Sequence, residues 1–224
     1  MSYWVKYSSN FVGSGVSYHP HEFYFLTNLN DSYEGLSFDY LTMYLESHWS
    51  SSSSGTMQVG FQDGQNIDQA RIGQNLIGVT ENRAVAGCNG SPSGYSGVCY
   101  DRGDGSYVNG VILSSSAVFT SGNKNNWNNI ESYYQLNSIV NGIGQSDGII
   151  RLWVNGILVF ERTDAILRTG YRPTMKINQL ILGPYIGDGS PVTQTMWIDD
   201  LVVASERSSI INLLPPTNIR IIVE

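Results

Sequence analysis

Charge is scarce in this chain, and positive charge scarcest. Only 14% of its 224 residues are Asp, Glu, Lys or Arg, with 12 Lys+Arg against 19 Asp+Glu and a formal net charge of −7. No basic run or patch exists to neutralise phosphates, which argues against nucleic acid as a partner. No apolar stretch approaches the roughly 20 residues of a membrane-spanning helix, so no membrane span is expected. A leader-like segment is missing too. Met1-Ser2 runs straight into Tyr3-Trp4-Val5-Lys6-Tyr7, which reads as a strand, as in a mature protein that begins inside its first strand. Cysteine is limited to Cys88 and Cys99, at the two ends of CNGSPSGYSGVC. With no second Cys or His pair nearby, a metal site there is disfavoured. In an oxidising compartment the two close the Gly/Ser loop as a disulfide worth about 2–3 kcal/mol, which implies a secreted, extracellular protein. Two buried free thiols are the alternative.

Helical periodicity is also lacking, and period-two alternation takes its place. The 24 Gly supply turns, and 14 Tyr and 5 Trp suit pleated strands. In Ser37–Glu46, Leu41, Met43 and Leu45 share one face, and Tyr40, Thr42, Tyr44 and Glu46 the other. Met57, Val59 and Phe61 alternate with Gln58, Gly60 and Gln62. Tyr134 and Leu136 alternate with Tyr133, Gln135 and Asn137. Asn155-Gly156 sits between two apolar runs within Ile149–Val159, a strong hairpin signal. Ile177–Leu182 and Trp197–Val203 add two more strands. The expected architecture is all-β, a two-sheet antiparallel sandwich of one domain over residues 1–212. The remaining 213–224, with Pro215-Pro216, read as a linker or last edge strand and hint at neighbouring domains of a longer chain.

The runs DGIIRLWVNGILVFE at Asp147–Glu161, KINQLILGPYIGDG at Lys176–Gly189 and WIDDLVVAS at Trp197–Ser205 resemble the closing strands of concanavalin-like jelly rolls. The resemblance is to polysaccharide-lyase-like domains of the heparinase and glucuronan-lyase type, and to laminin-G-like domains. Tyr133-Tyr134-Gln135-Leu136-Asn137 stands where a Tyr-, Asn- and Gln-rich strand precedes that hairpin. The match covers roughly residues 127–205 well and the first half loosely. It implies a jelly roll with a polysaccharide or oligosaccharide on its concave sheet, and a structural calcium ion near Asp199 and Asp200, whose adjacent carboxylates suit an oxygen-liganded cation. Because binding modules and enzymes share such a fold, it does not settle activity.

Hydrolysis of glycosides needs two carboxylates across the scissile bond, and no Glu-x-Asp or Glu-x-x-x-Glu strand signature is present. β-Elimination on a uronate polymer makes other demands: a base and an acid, commonly His or Tyr, and a group to neutralise the sugar carboxylate. His19 and His21, flanking Pro20 just before the apolar run Phe23–Leu26, are candidates for the base. Tyr133 and Arg83 join them as candidate catalytic groups, Arg83 as a clamp for the carboxylate. Tyr44, Glu46, Gln58, Gln62, Asn82, Gln135 and Asn137 are the candidate substrate-binding residues. All of these but Asn82 belong, with Tyr133, to one polar row on the concave face, where sugar hydroxyls would satisfy mid-strand Gln and Asn. The function expected is glycan recognition with lyase activity as one form of it. A non-catalytic carbohydrate-binding module and a laminin-G-like adhesion domain are the alternatives, and the acidity of the chain favours neutral glycans and binding without cutting.

Overall fold

The structure is a computed structural model that describes residues 1–14, 21–27, 41–62, 112–168, 170, 173–186, 189–207 and 215, with only the backbone of 62, 112 and 185. Thirteen strands are described: β1 (Ser2–Tyr7), β2 (His21–Thr27), β3 (Leu41–Ser51), β4 (Ser54–Gln62), β5 (Ile112–Ser114), β6 (Phe119–Thr120), β7 (Trp127–Gln135), β8 (Ile139–Val140), β9 (Ile143–Gly144), β10 (Gly148–Val154), β11 (Ile157–Ala165), β12 (Gln179–Tyr185) and β13 (Met196–Val202). One sheet runs β11-β10-β7-β1-β13. The other runs β12-β2-β3-β4-β5, with β6 also on β4. Every pairing is antiparallel.

Alternation turns one apolar row of each sheet toward the other. Tyr3, Val5 and Tyr7 of β1, Ile130 of β7 and Ile150, Leu152 and Val154 of β10 meet Phe23 and Phe25 of β2, Met43 and Leu45 of β3 and Val59 and Phe61 of β4 in a single core. Aromatic rings bridge the layers: Tyr3 on Phe23 at 4.6 Å, Phe25 on Tyr134 at 4.7 Å and Tyr7 edge-on to Trp49 at 5.3 Å between centroids. Such pairs add about 0.5–1.5 kcal/mol each to the burial itself. The chain is thus an all-β, two-sheet antiparallel sandwich.

Most of the expected strands are where alternation puts them. The Asn155-Gly156 hairpin forms with both residues at positive φ, 51° and 78°, the geometry of a type I′ turn. Asn155 goes further than the turn needs, since its Oδ1 accepts from the Asn129 amide at 2.9 Å and ties the hairpin to β7. The strand expected over Ile177–Leu182 is Gln179–Tyr185, an edge strand whose register on β2 slips between Leu182 and Tyr185. Pro184 lies in that slip, and an edge tolerates its missing N–H. His21, expected just before the strand, is the first residue of β2. The boundary at 212–213 and all but Pro215 of the 213–224 segment lie outside the described residues.

Candidate functional site

In the six-stranded sheet, β2 and most of β3 and β4 are buried on both faces. On the face turned away from the sandwich core, cross-strand register aligns Tyr24 with Tyr44 and Gly60, and Glu46 with Gln58 and Ser114. Tyr24, Leu26 and Tyr44 form a second apolar cluster there, with Ile181 packed against it. Into this cluster comes a chain of polar groups that crosses four strands. His21 Nδ1 is hydrogen-bonded to Glu46 Oε1, Gln58 Nε2 donates to Glu46 Oε2 at 2.6 Å, and Ser114 Oγ donates to Gln58 Oε1 at 3.1 Å. The imidazole lies stacked on the Tyr44 ring at 4.0 Å and edge-on to Tyr24 at 5.5 Å. His21, Glu46, Gln58 and Tyr44 are all at most 6% exposed.

Burial decides the electrostatics, because an apolar surround disfavours whichever form is charged. It pushes His21 down to about 3 and Glu46 up to about 8, the latter against the opposing pull of the Gln58 hydrogen bond. At neutral pH the two therefore share one proton across the Nδ1–Oε1 contact with no net charge. A carboxylic acid donating to Nδ1 leaves the ring proton on Nε2. When the pair gives up one proton, Nδ1–H faces a carboxylate instead and the Nε2 lone pair becomes the base. The arrangement is a proton donor that turns into an acceptor, and its macroscopic titration belongs to the pair.

Four of the expected site residues, His21, Tyr44, Glu46 and Gln58, are thus brought together. Gln62 lies on β4 opposite Thr42 of β3, and only its backbone is described. His48 and Thr56 extend the row by one pair, and their Nδ1 and Oγ1 atoms are buried without a hydrogen-bond partner among the described residues. Burial lowers the His48 value as well. Sequence reasoning missed His48 as a site residue, although it continues the 44, 46, 48 alternation.

The rest of the expected row does not join them. Tyr133 and Gln135 are on β7, in the other sheet, on the face away from the core. There the Tyr133 hydroxyl donates to Gln135 Oε1 at 2.8 Å in solvent. Asn137 lies just past β7, fully buried, and its job is structural. Its Oδ1 accepts from the amides of Leu167 and Arg168, both at 2.8 Å, and Nδ2 donates to the Arg168 carbonyl at 2.9 Å. A single concave row running from Tyr44 to Asn137 is therefore corrected to two separate faces. His19, Asn82, Arg83 and the Cys88–Cys99 disulfide lie outside the described residues.

Asp199 and Asp200 sit at an irregularity of β13, with Asp200 at φ 49°. Asp199 Oδ1 accepts from the Asp200 amide at 2.8 Å. Among the described residues no group of three His, Cys, Asp or Glu converges on a common point.

The outward face of the five-stranded sheet has another character. Lys6 lies between Trp127 and Trp197, 5.0 and 4.9 Å from their ring centroids. Arg207 covers Trp153 at 4.1 Å and forks onto Glu131 at 2.6 and 3.1 Å. Arg151 pairs with Glu161 at 2.6 Å. No family model matches the chain, and no curated protein and no solved structure matches it.

Proposed function

We propose that this is a carbohydrate-recognising domain of the polysaccharide-lyase-like kind, and that the His21–Glu46 pair is the proton-transfer centre of a β-elimination on uronate polymers. The observation that carries the reading is the hydrogen bond of a buried imidazole to a buried carboxyl, with two phenols beside it. Elimination takes the proton from C5 of a uronate residue and returns one to the glycosidic oxygen. The C5–H and C4–O bonds break and a C4=C5 double bond forms. His21 in its deprotonated pair would take the first proton, and a phenol, Tyr24 or Tyr44, would return the second. Hydrolysis needs two ionised-or-protonated carboxyls astride the bond. Here Glu46 is committed to His21 and Gln58, and Glu22, on the neighbouring β2, faces the core.

A second reading has its own observation. Trp197 is 43% exposed and shares a row with Lys6 and Trp127, the sort of aromatic surface on which sugar rings stack. Non-catalytic glycan binding would use that face. Incubation with a panel of uronate polymers, following the ultraviolet absorbance of the unsaturated product, separates the two. Product from the wild type and none from His21→Ala supports elimination. No product from any polymer, with binding to a neutral glycan lost in Trp197→Ala, gives the function to the other sheet.

A further inference from the structure

His21 should not be on the outward face at all. From Thr27 to Phe23 the β2–β3 register is regular, Thr27 opposite Leu41 through Phe23 opposite Leu45. One more step would place Glu22 opposite Glu46 on the outward face, and His21 opposite Ser47 toward the core. The contacts are the reverse. His21 touches Tyr24, Tyr44 and Glu46 on the outward side. Glu22, with no exposed surface, accepts from the Tyr3 hydroxyl at 2.6 Å and from Ser47 Oγ on the core side, where Phe23 also packs on Tyr3. Residues 21 and 22 have exchanged faces.

Electrostatics explains what the exchange achieves. Regular alternation would stand two carboxyls directly opposite each other, which is destabilising on a sheet. The exchange puts the sheet between them and gives Glu46 an imidazole instead. It also buries Glu22 in the core, tolerable only because two hydroxyl donors meet it. Those donors come from separate elements: Tyr3 on the opposite sheet and Ser47 beside Glu46 on β3.

We propose that Glu22 is the positioning residue of the site: its hydrogen bonds to Tyr3 and Ser47 hold β2 in the exchanged conformation that turns His21 onto Glu46. The role in catalysis rests on the proton-transfer reading above; the exchange of faces does not. Titration supports the picture, since burial raises Glu22 to about 7 and the Glu46 charge adds to the rise, while Tyr3 and Ser47 draw it back. The groups facing Glu22 are Tyr3, Tyr7, Ser47 and, through the sheet, Glu46.

Imidazole nitrogen spectra of the full chain labelled with [15N]histidine test this without substrate, with His21 assigned by its loss in His21→Gln. In the wild type the His21 signals should hold one pattern from about pH 5 to 7 and change only toward about pH 8, as the pair releases its proton. In Glu22→Ala they should titrate near the ordinary value of about 6.5. Glu22→Gln can still meet both hydroxyls, its Oε1 accepting from one and its Nε2 donating to the oxygen of the other, and should keep the wild-type pattern, as should Ile130→Val, a core truncation on another strand. A folded Glu22→Ala with unchanged His21 signals overturns the proposal. Where that variant fails to fold, Tyr3→Phe and Ser47→Ala each remove one donor and should each shift the His21 signals; no shift in either overturns it equally. Because the readout is the ring itself, a shift in these variants alongside a wild type that cuts no polymer would sink the catalytic reading and leave the positioning role standing.

Discussion

The outward faces of the two sheets carry the same residue types and treat them in opposite ways. On the six-stranded sheet Glu46 meets His21 where neither is more than 6% exposed, and burial moves both toward their neutral forms. On the five-stranded sheet Glu161 meets Arg151 and Glu131 meets Arg207 in reach of water. Ion pairs of that kind contribute about 0–1 kcal/mol and are screened by salt. A carboxylate beside a cationic or imidazole partner is therefore no guide to function by itself. What separates the faces is desolvation, which turns one pair into a proton store and leaves the other as surface decoration.

The sharpest way to break the comparison is to remove one member of each pair. Glu46→Ala leaves His21 buried without its carboxyl, and a lost general acid–base group costs about 10²–10⁴-fold in rate. Turnover of a uronate polymer should fall by that much, while Glu161→Ala should leave it unchanged.

The pH dependence is next in size. Folded, Glu22 and Glu46 hold their protons to about 7 and about 8 rather than 4.5. Their contribution to stability is complete below 4.5 and is lost as pH rises through those folded values. His21 works in the opposite sense. Its folded value of about 3 against 6.5 means that its contribution is lost as pH falls between the two. The melting temperature is therefore expected to be highest near about pH 4.5 and to decline to about pH 8, and Glu46→Gln should flatten the decline. Turnover should run the other way, increasing with pH through about 8 as the pair releases its proton.

Smaller effects belong to the five-stranded side. Asn137→Ala strands the amides of Leu167 and Arg168, at about 1–3 kcal/mol for a buried unsatisfied group, and should lower denaturant stability without touching turnover. Arg207→Ala removes a cation–π contact and an exposed ion pair and should cost about 0.5–1 kcal/mol, less in high salt.

Much of this was legible from residue order. Alternation in 41–46 and 57–61 assigned Tyr44, Glu46 and Gln58 to one face and Met43, Leu45, Val59 and Phe61 to the other, as the structure has them. Alternation is local, however, and says nothing about which sheet a strand joins. Tyr133 and Gln135 share a face of β7, but β7 pairs with β10, a little further on, and with β1 at the other end of the chain, and so carries them to the other sheet. Asn137 looked like a sugar ligand because a mid-strand Asn needs partners; its partners are backbone amides that no spacing reveals. His21 stands in the sequence as a candidate base just before an apolar run, but regular alternation offers it no route to Glu46, and only the buried bonds of Glu22 supply one.

The proton shared by His21 and Glu46 is the centre of this account, and the carboxyl carbon of Glu46 reports on it directly. With [13C]glutamate labelling and assignment by Glu46→Gln, its chemical shift should be that of a carboxylic acid at neutral pH and should titrate with a midpoint near about 8. A carboxylate already formed by about pH 5, as an ordinary glutamate shows, contradicts it.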